Sequence, residues 1–68
     1  MRIDRVKLIA EMARQEISVK DLAEKSGVSR VTVTSMRSGK SCSANSVHHV
    51  ACALGIQVEE LMEVKENG

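Results

Sequence analysis

No phenylalanine, tryptophan, tyrosine or proline occurs among these 68 residues. Without aromatic rings the core has to be filled by Val, Leu, Ile, Met and Ala, each of which buries less area. Without proline no helix is interrupted from within, and the recurrent Lys, Glu, Arg and Ala favour helices. Cysteine is scarce as well. Cys42 and Cys52 are too few for a disulfide framework, so a reducing cytosol is the expected compartment. Apolar runs of about eighteen residues are missing, which excludes a transmembrane helix. The opening residues Met1-Arg2-Ile3-Asp4-Arg5 lead into a mixed segment rather than an apolar signal core.

A chain of this length holds one domain, 1–68, with 1–3 and 65–68 expected as loose ends. It buries only about 60% of its unfolded surface, and such a core supplies roughly 3–5 kcal/mol. So small a domain does not enclose a pocket, and no acid–base–nucleophile set is linked by a motif. No enzymatic activity, cofactor or small-molecule ligand is expected. Net charge is only +1, but it is unevenly placed. Residues 1–41 carry nine Lys or Arg against five Asp or Glu, whereas 42–68 carry Lys65 against Glu59, Glu60, Glu63 and Glu66. A basic front and an acidic back suit a protein that meets a polyanion on one side.

Three glycines punctuate the chain. Gly27, Gly39 and Gly55 each follow a helix-like run, where a left-handed cap favours a residue without Cβ. Ser18, Ser29 and Ser43 stand where N-caps are needed, and Asp21 makes an approximate capping box with Ser18. Helices are therefore predicted at 4–15, 19–26, 30–38, 44–54 and 58–64, an all-α fold of five helices. The last has Glu59 and Glu60 in its first turn, where carboxylates favour the helix dipole. The first has two competing apolar stripes: Val6, Ile9, Ala10, Ala13 and Ile17, or the adjacent Leu8 and Met12. The fourth repeats the helical spacing with Val47, Val50, Ala51 and Leu54. Val31-Thr32-Val33-Thr34 alternates like a strand, yet it lies between a Ser cap and a Gly cap with no partner strand in the chain. Helix is the reading that satisfies its backbone groups.

Residues 19–38 combine into a pattern with physical content. Ala23 is small where the second and third helices approach, Gly27 permits a sharp turn, and Val28, Val33 and Met36 point inward. Arg30, Val31, Thr34, Ser35 and Ser38 cluster on the outward side, although a small shift of the helix face would make Val31 a core residue. Leu22-Ala23-Glu24-Lys25-Ser26-Gly27-Val28-Ser29-Arg30, followed by Gly39-Lys40, resembles the Cro/repressor (Xre-type) helix-turn-helix family. So does Ala51-Cys52-Ala53-Leu54-Gly55-Ile56 followed by Glu59-Glu60-Leu61. The likeness spans essentially the whole chain, strongest in 17–40 and 47–62.

The resemblance implies a compact five-helix bundle of the phage-repressor type, with the helix-turn-helix formed by the second and third helices. It implies a bacterial or phage transcriptional regulator that binds double-stranded operator DNA, usually as a dimer on a near-palindromic site. Carried over, it makes Arg30, Val31 and Ser35 base-facing, with Thr32 at the edge. Ser18, Thr34, Ser38 and Lys40 become phosphate contacts, as do Ser41, Ser43 and Asn45 in the following turn. The chemistry agrees: Arg bonds bidentately to guanine, and Val packs on a thymine methyl. Two positions depart from the family pattern. Val19 stands where relatives often carry a phosphate-clamping Gln, and Arg37 where they often carry Glu. A homodimer is expected through the fifth helix and the end of the fourth, using Ile56, Val58, Leu61, Met62 and Val64.

Two other readings fit parts of the sequence. A domain of this fold can bind protein instead, as an antirepressor or regulatory subunit. Cys42, His48, His49 and Cys52 suggest a metal, but they offer no CxxC or HxxxH pair, and no metal is expected. A redox pair is equally unsupported, although Cys42 is expected in an exposed turn.

Overall fold

Each helix begins where a short oxygen-bearing side chain takes up an otherwise unpaired amide. The computed structural model describes residues 2–62 and contains α1 (Arg5–Arg14), α2 (Val19–Ser26), α3 (Arg30–Arg37) and α4 (Ala44–Leu54), then a 3-10 turn over Val58–Glu60. Asp4 Oδ1 accepts from the Val6 amide at 2.9 Å, Ser18 Oγ from Asp21 at 3.1 Å, Ser29 Oγ from Thr32 at 3.1 Å, and Ser43 Oγ from Ser46 at 3.2 Å. Such caps contribute about 1 kcal/mol each. At Ser18 only this arm of the expected capping box is formed. A returning carboxylate is found instead at the 3-10 turn, where the Gln57 amide donates to Glu60 Oε2 at 2.8 Å.

The core draws on all four α-helices. Leu8 and Met12 come from α1, Leu22 and Ala23 from α2, Val33 and Met36 from α3, and Val47, Val50, Ala51 and Leu54 from α4. Helix α2 packs against both α3 and α4, and α1 packs against α3. Between its two stripes, α1 buries Leu8 and Met12 and leaves Ala10 and Ala13 exposed, with Val6 65% exposed. Of the other stripe, Ile9 is half-buried and Ile17, beyond the end of the helix, packs against the core.

Two expectations need correction. The described residues hold four α-helices, and the fifth, predicted over 58–64, is a single 3-10 turn ending before Leu61. The N-terminal segment ends it: the Asp4 amide donates to the Leu61 carbonyl at 2.7 Å, and Ile3 forms an antiparallel bridge with Met62. Lys7 Nζ adds a bond to the Met62 carbonyl at 3.3 Å. The rest of that predicted helix, and the end at 65–68, lie outside the described residues. Ile3, placed by the sequence in a loose end, is only 2% exposed and belongs to the core with Leu61. A core without aromatic rings completes itself by recruiting an isoleucine and a leucine from the two ends.

The α1–α2 connection contains the one non-glycine residue with positive φ among the described residues, Glu16 at 53°. The Glu16 amide donates to Ala13 and the Ile17 amide to Met12, closing a helix terminus that elsewhere favours glycine. Left-handed backbone costs a non-glycine residue roughly 1–2 kcal/mol, partly offset by the greater chain entropy glycine loses on folding. Glu16 is exposed, so little packing is at stake. Glu16→Gly is therefore expected to stabilise the fold by about 0.5–1 kcal/mol, raising Tm by roughly 2–8 °C. A thermal melt followed by circular dichroism checks this, and a lowered Tm would contradict it. Next to it, Gln15 Nε2 donates to the Leu54 carbonyl at 2.7 Å, tying the end of α1 to the end of α4. It also reaches Glu11, whose carboxyl is held below its ordinary pKa by Arg14 and then by Gln15.

Candidate nucleic-acid interface

The turn between α2 and α3 is built from Gly27, Val28 and Ser29. Gly27 has φ 78° and donates its amide to the Ala23 carbonyl at 2.9 Å. A Cβ placed there would meet nothing within 4 Å, so the demand for glycine is one of dihedral angle and not of space. Ser26 Oγ accepts from the Val28 amide at 3.4 Å, and Ser29 then caps α3. Three residues thus redirect the chain, and Val28 packs against the core as it passes.

Helix α3 is anchored from one side and open on the other. Val33 and Met36 are wholly buried, whereas Arg30, Thr34, Arg37 and Ser38 are exposed. Val31 is 76% exposed, which removes the reading of this residue as core. Thr32 and Ser35 are half-buried. The Thr32 hydroxyl bonds the Ser29 hydroxyl at 2.9 Å, so this position at the edge of the face is tied to the helix cap. Ser38 Oγ donates its proton to the Thr34 carbonyl at 3.1 Å, leaving mainly acceptor capacity on that hydroxyl. The alternating strand-like run over 31–34 is helical throughout.

The flanking residues are exposed: Ser18 before α2, and Lys40, Ser41, Ser43 and Asn45 between α3 and the first turn of α4. The first amides of α2 and α4 have no acceptor within their own helices. Ser18 and Ser43 each accept one of the later amides and keep a hydroxyl at the helix entrance. Ser43 shares a 2.9 Å bond with the Ser46 hydroxyl, a partner absent from the predicted set. Val19 packs against the core instead of offering a polar group, and Arg37 shares a shallow hollow with Glu16, Ser18 and Val19. Arg37 is therefore a neighbour of the entrance of α2.

Electrostatics favour an anion here. No Asp or Glu occurs between Glu24 and Glu59, so α3, the connection after it and all of α4 are free of carboxylates. That gap is a signal in the sequence that the overall charge of +1 conceals. His48, His49 and Cys52 are exposed on α4, and among the described residues no three His, Cys, Asp or Glu side chains are grouped to hold a metal. Cys42, expected in an exposed turn, is half-buried against the core, and burial pushes its thiol pKa up. A thiol so placed is a poor nucleophile.

A capped helix, a three-residue turn on a left-handed glycine and a second helix with a carboxylate-free outer face make up a helix-turn-helix. The family model of the Cro/C1-type HTH DNA-binding domain matches residues 7–67. The chain belongs to this family. DNA is the partner that membership implies for the HTH domain, and it agrees with the charge distribution around α3. No curated protein and no solved structure gives a significant match. No helix among the described residues is long and apolar enough to cross a membrane.

Proposed function

We propose that this HTH domain is a sequence-specific transcriptional regulator of the repressor or Cro-like kind, reading the major groove with α3. The supporting observation is the outer face of α3, where exposed Arg30 and Val31 stand among hydroxyls on a helix that carries no carboxylate. Arg30 supplies the fork that recognises guanine, Val31 an apolar surface for a thymine methyl, and Ser35 and Thr32 shorter contacts. Full burial of Val33 and Met36 holds that face in one orientation, so little ordering is needed on binding. Ser18, Thr34, Ser38, Lys40, Ser41, Ser43 and Asn45 flank it as phosphate contacts, aided by the open amides of α2 and α4. Ser38 has to release its bond to Thr34 to donate. Such a regulator works in the cytoplasm, on the nucleoid.

One recognition helix reads only a few base pairs, too few to discriminate against a genome of competing sites. Two copies about 34 Å apart read successive major grooves, which calls for a near-palindromic operator. The proposed contact between copies is the segment after α4 together with the end of that helix. Leu61 is 1% exposed and belongs to the core, and Val64 lies outside the described residues. Ile56, Val58 and Met62 keep partial exposure and form the remaining apolar surface. Met62→Glu is expected to abolish cooperative operator binding while the helical circular-dichroism spectrum stays unchanged. Native cooperativity in this variant would place the contact elsewhere.

The direct test is fluorescence polarisation on duplex DNA at low salt, followed by in vitro selection of a consensus. Binding that falls steeply with salt, with a palindromic consensus, is expected. Failure to bind any duplex at low salt would favour a protein-interaction module, the reading supported by the aliphatic Val19 and the small net charge.

A further inference from the structure

The two arginines nearest the N-terminus lie far from α3 in sequence but beside its end in space. Arg2 Nε reaches the Gly39 carbonyl at 3.5 Å, and a Cβ on Gly39 would sit 3.4 Å from Arg5 Cδ. Arg2, Asp4, Arg5, Ser38 and Gly39 line one shallow hollow, with Lys40 next along the chain. Its single carboxylate, Asp4, is occupied with the amides of Val6 and Lys7 at 2.9 and 3.4 Å. Among the described residues neither guanidinium meets a carboxylate within ion-pair distance. A bond of 3.5 Å to one carbonyl is near the outer limit, and it leaves most of the five N–H donors of Arg2 unused.

We propose that Arg2, Arg5 and Lys40 form a phosphate-binding site for the DNA backbone at the C-terminal end of α3. The proposal rests on the DNA-binding reading and adds to it a contact from the N-terminal segment. Eight residues of helix span about 12 Å, comparable to the width of the major groove, about 12 Å. With the Arg30 end at the base edges, the Gly39 end lies at the level of the flanking phosphates. Two guanidiniums and one ammonium there meet a row of anions, and Arg matches phosphate oxygens bidentately. The alternative role, capping the last carbonyls of α3, is purely structural and separable.

The test uses the full chain and a random-sequence duplex, with affinity measured across a salt series. Arg2→Gln combined with Arg5→Gln is expected to flatten the plot of log K against log salt by about two units, and Lys40→Ala by about one. Non-specific and operator DNA should weaken alike. Arg2→Lys with Arg5→Lys keeps the charges and is expected to restore most of the slope. If the wild type binds with a steep slope and the double Gln variant keeps it, the site is refuted, while the DNA-binding reading stands. A fall in Tm with an unchanged slope identifies a capping role and likewise refutes it. A wild type that binds no duplex overturns both readings. Thermal melts of all variants confirm that each is folded where its affinity is measured.

Discussion

Leu22→Ala is expected to leave this domain largely unfolded at physiological temperature. Leu22 is fully buried on α2, the helix that packs against both α3 and α4. Truncating a buried leucine costs about 2–5 kcal/mol, through lost transfer energy and the cavity left behind. A single core in a domain this small supplies roughly 3–5 kcal/mol in total, so one substitution consumes most of it. No aromatic side chain is present to close the gap, and Val33, Val47 and Val50 are stiff at χ1. Urea denaturation followed by circular dichroism measures the loss. A destabilisation below about 1 kcal/mol would mean that the core is not centred on α2. Apparent DNA affinity should fall in proportion to the folded fraction, because only the folded form presents α3.

Arg30→Ala should act in the opposite way, sparing the fold and changing recognition. Arg30 is the first residue of α3 and is exposed, so truncation removes little packing. Loss of one bidentate base contact costs about 1–3 kcal/mol, roughly five- to 150-fold in operator affinity. The preference at a single base position should relax, with the rest of the selected consensus retained. Affinity for random duplex should fall by no more than one phosphate contact would explain. An unchanged consensus would remove Arg30 from the reading set. The contrast with Lys40, whose loss should weaken all sequences alike, separates reading from holding.

Much of this molecule is legible in its sequence. The bounds of α2 and α4 agree with expectation because Ser18 with Gly27, and Ser43 with Gly55, bracket them by purely local hydrogen-bonding and dihedral requirements. The same logic carried α3 through its strand-like alternation, since caps at Ser29 and Gly39 outweigh a four-residue pattern. Membership of the family was readable for a related reason: the small Ala23, the turn at Gly27 and the inward Val33 are demands of one local packing geometry.

Other features depend on what folds against what. Which stripe of α1 is buried depends on where α3 packs against it, and periodicity alone does not say that. The start signals of the predicted fifth helix are present at Gln57 and Glu60, but its course is ended by Ile3 and Asp4, more than fifty residues away. The left-handed backbone at Glu16 has no glycine to announce it. The hydroxyls of Thr32 and Ser38, and the approach of Arg2 and Arg5 to Gly39, are likewise matters of spatial neighbours. Caps, turns and helix type are settled within a few residues, where the chain's own chemistry suffices. Which face is buried, which hydroxyl is committed and which distant cations converge are settled only when the elements pack, because those energies belong to pairs and not to single positions.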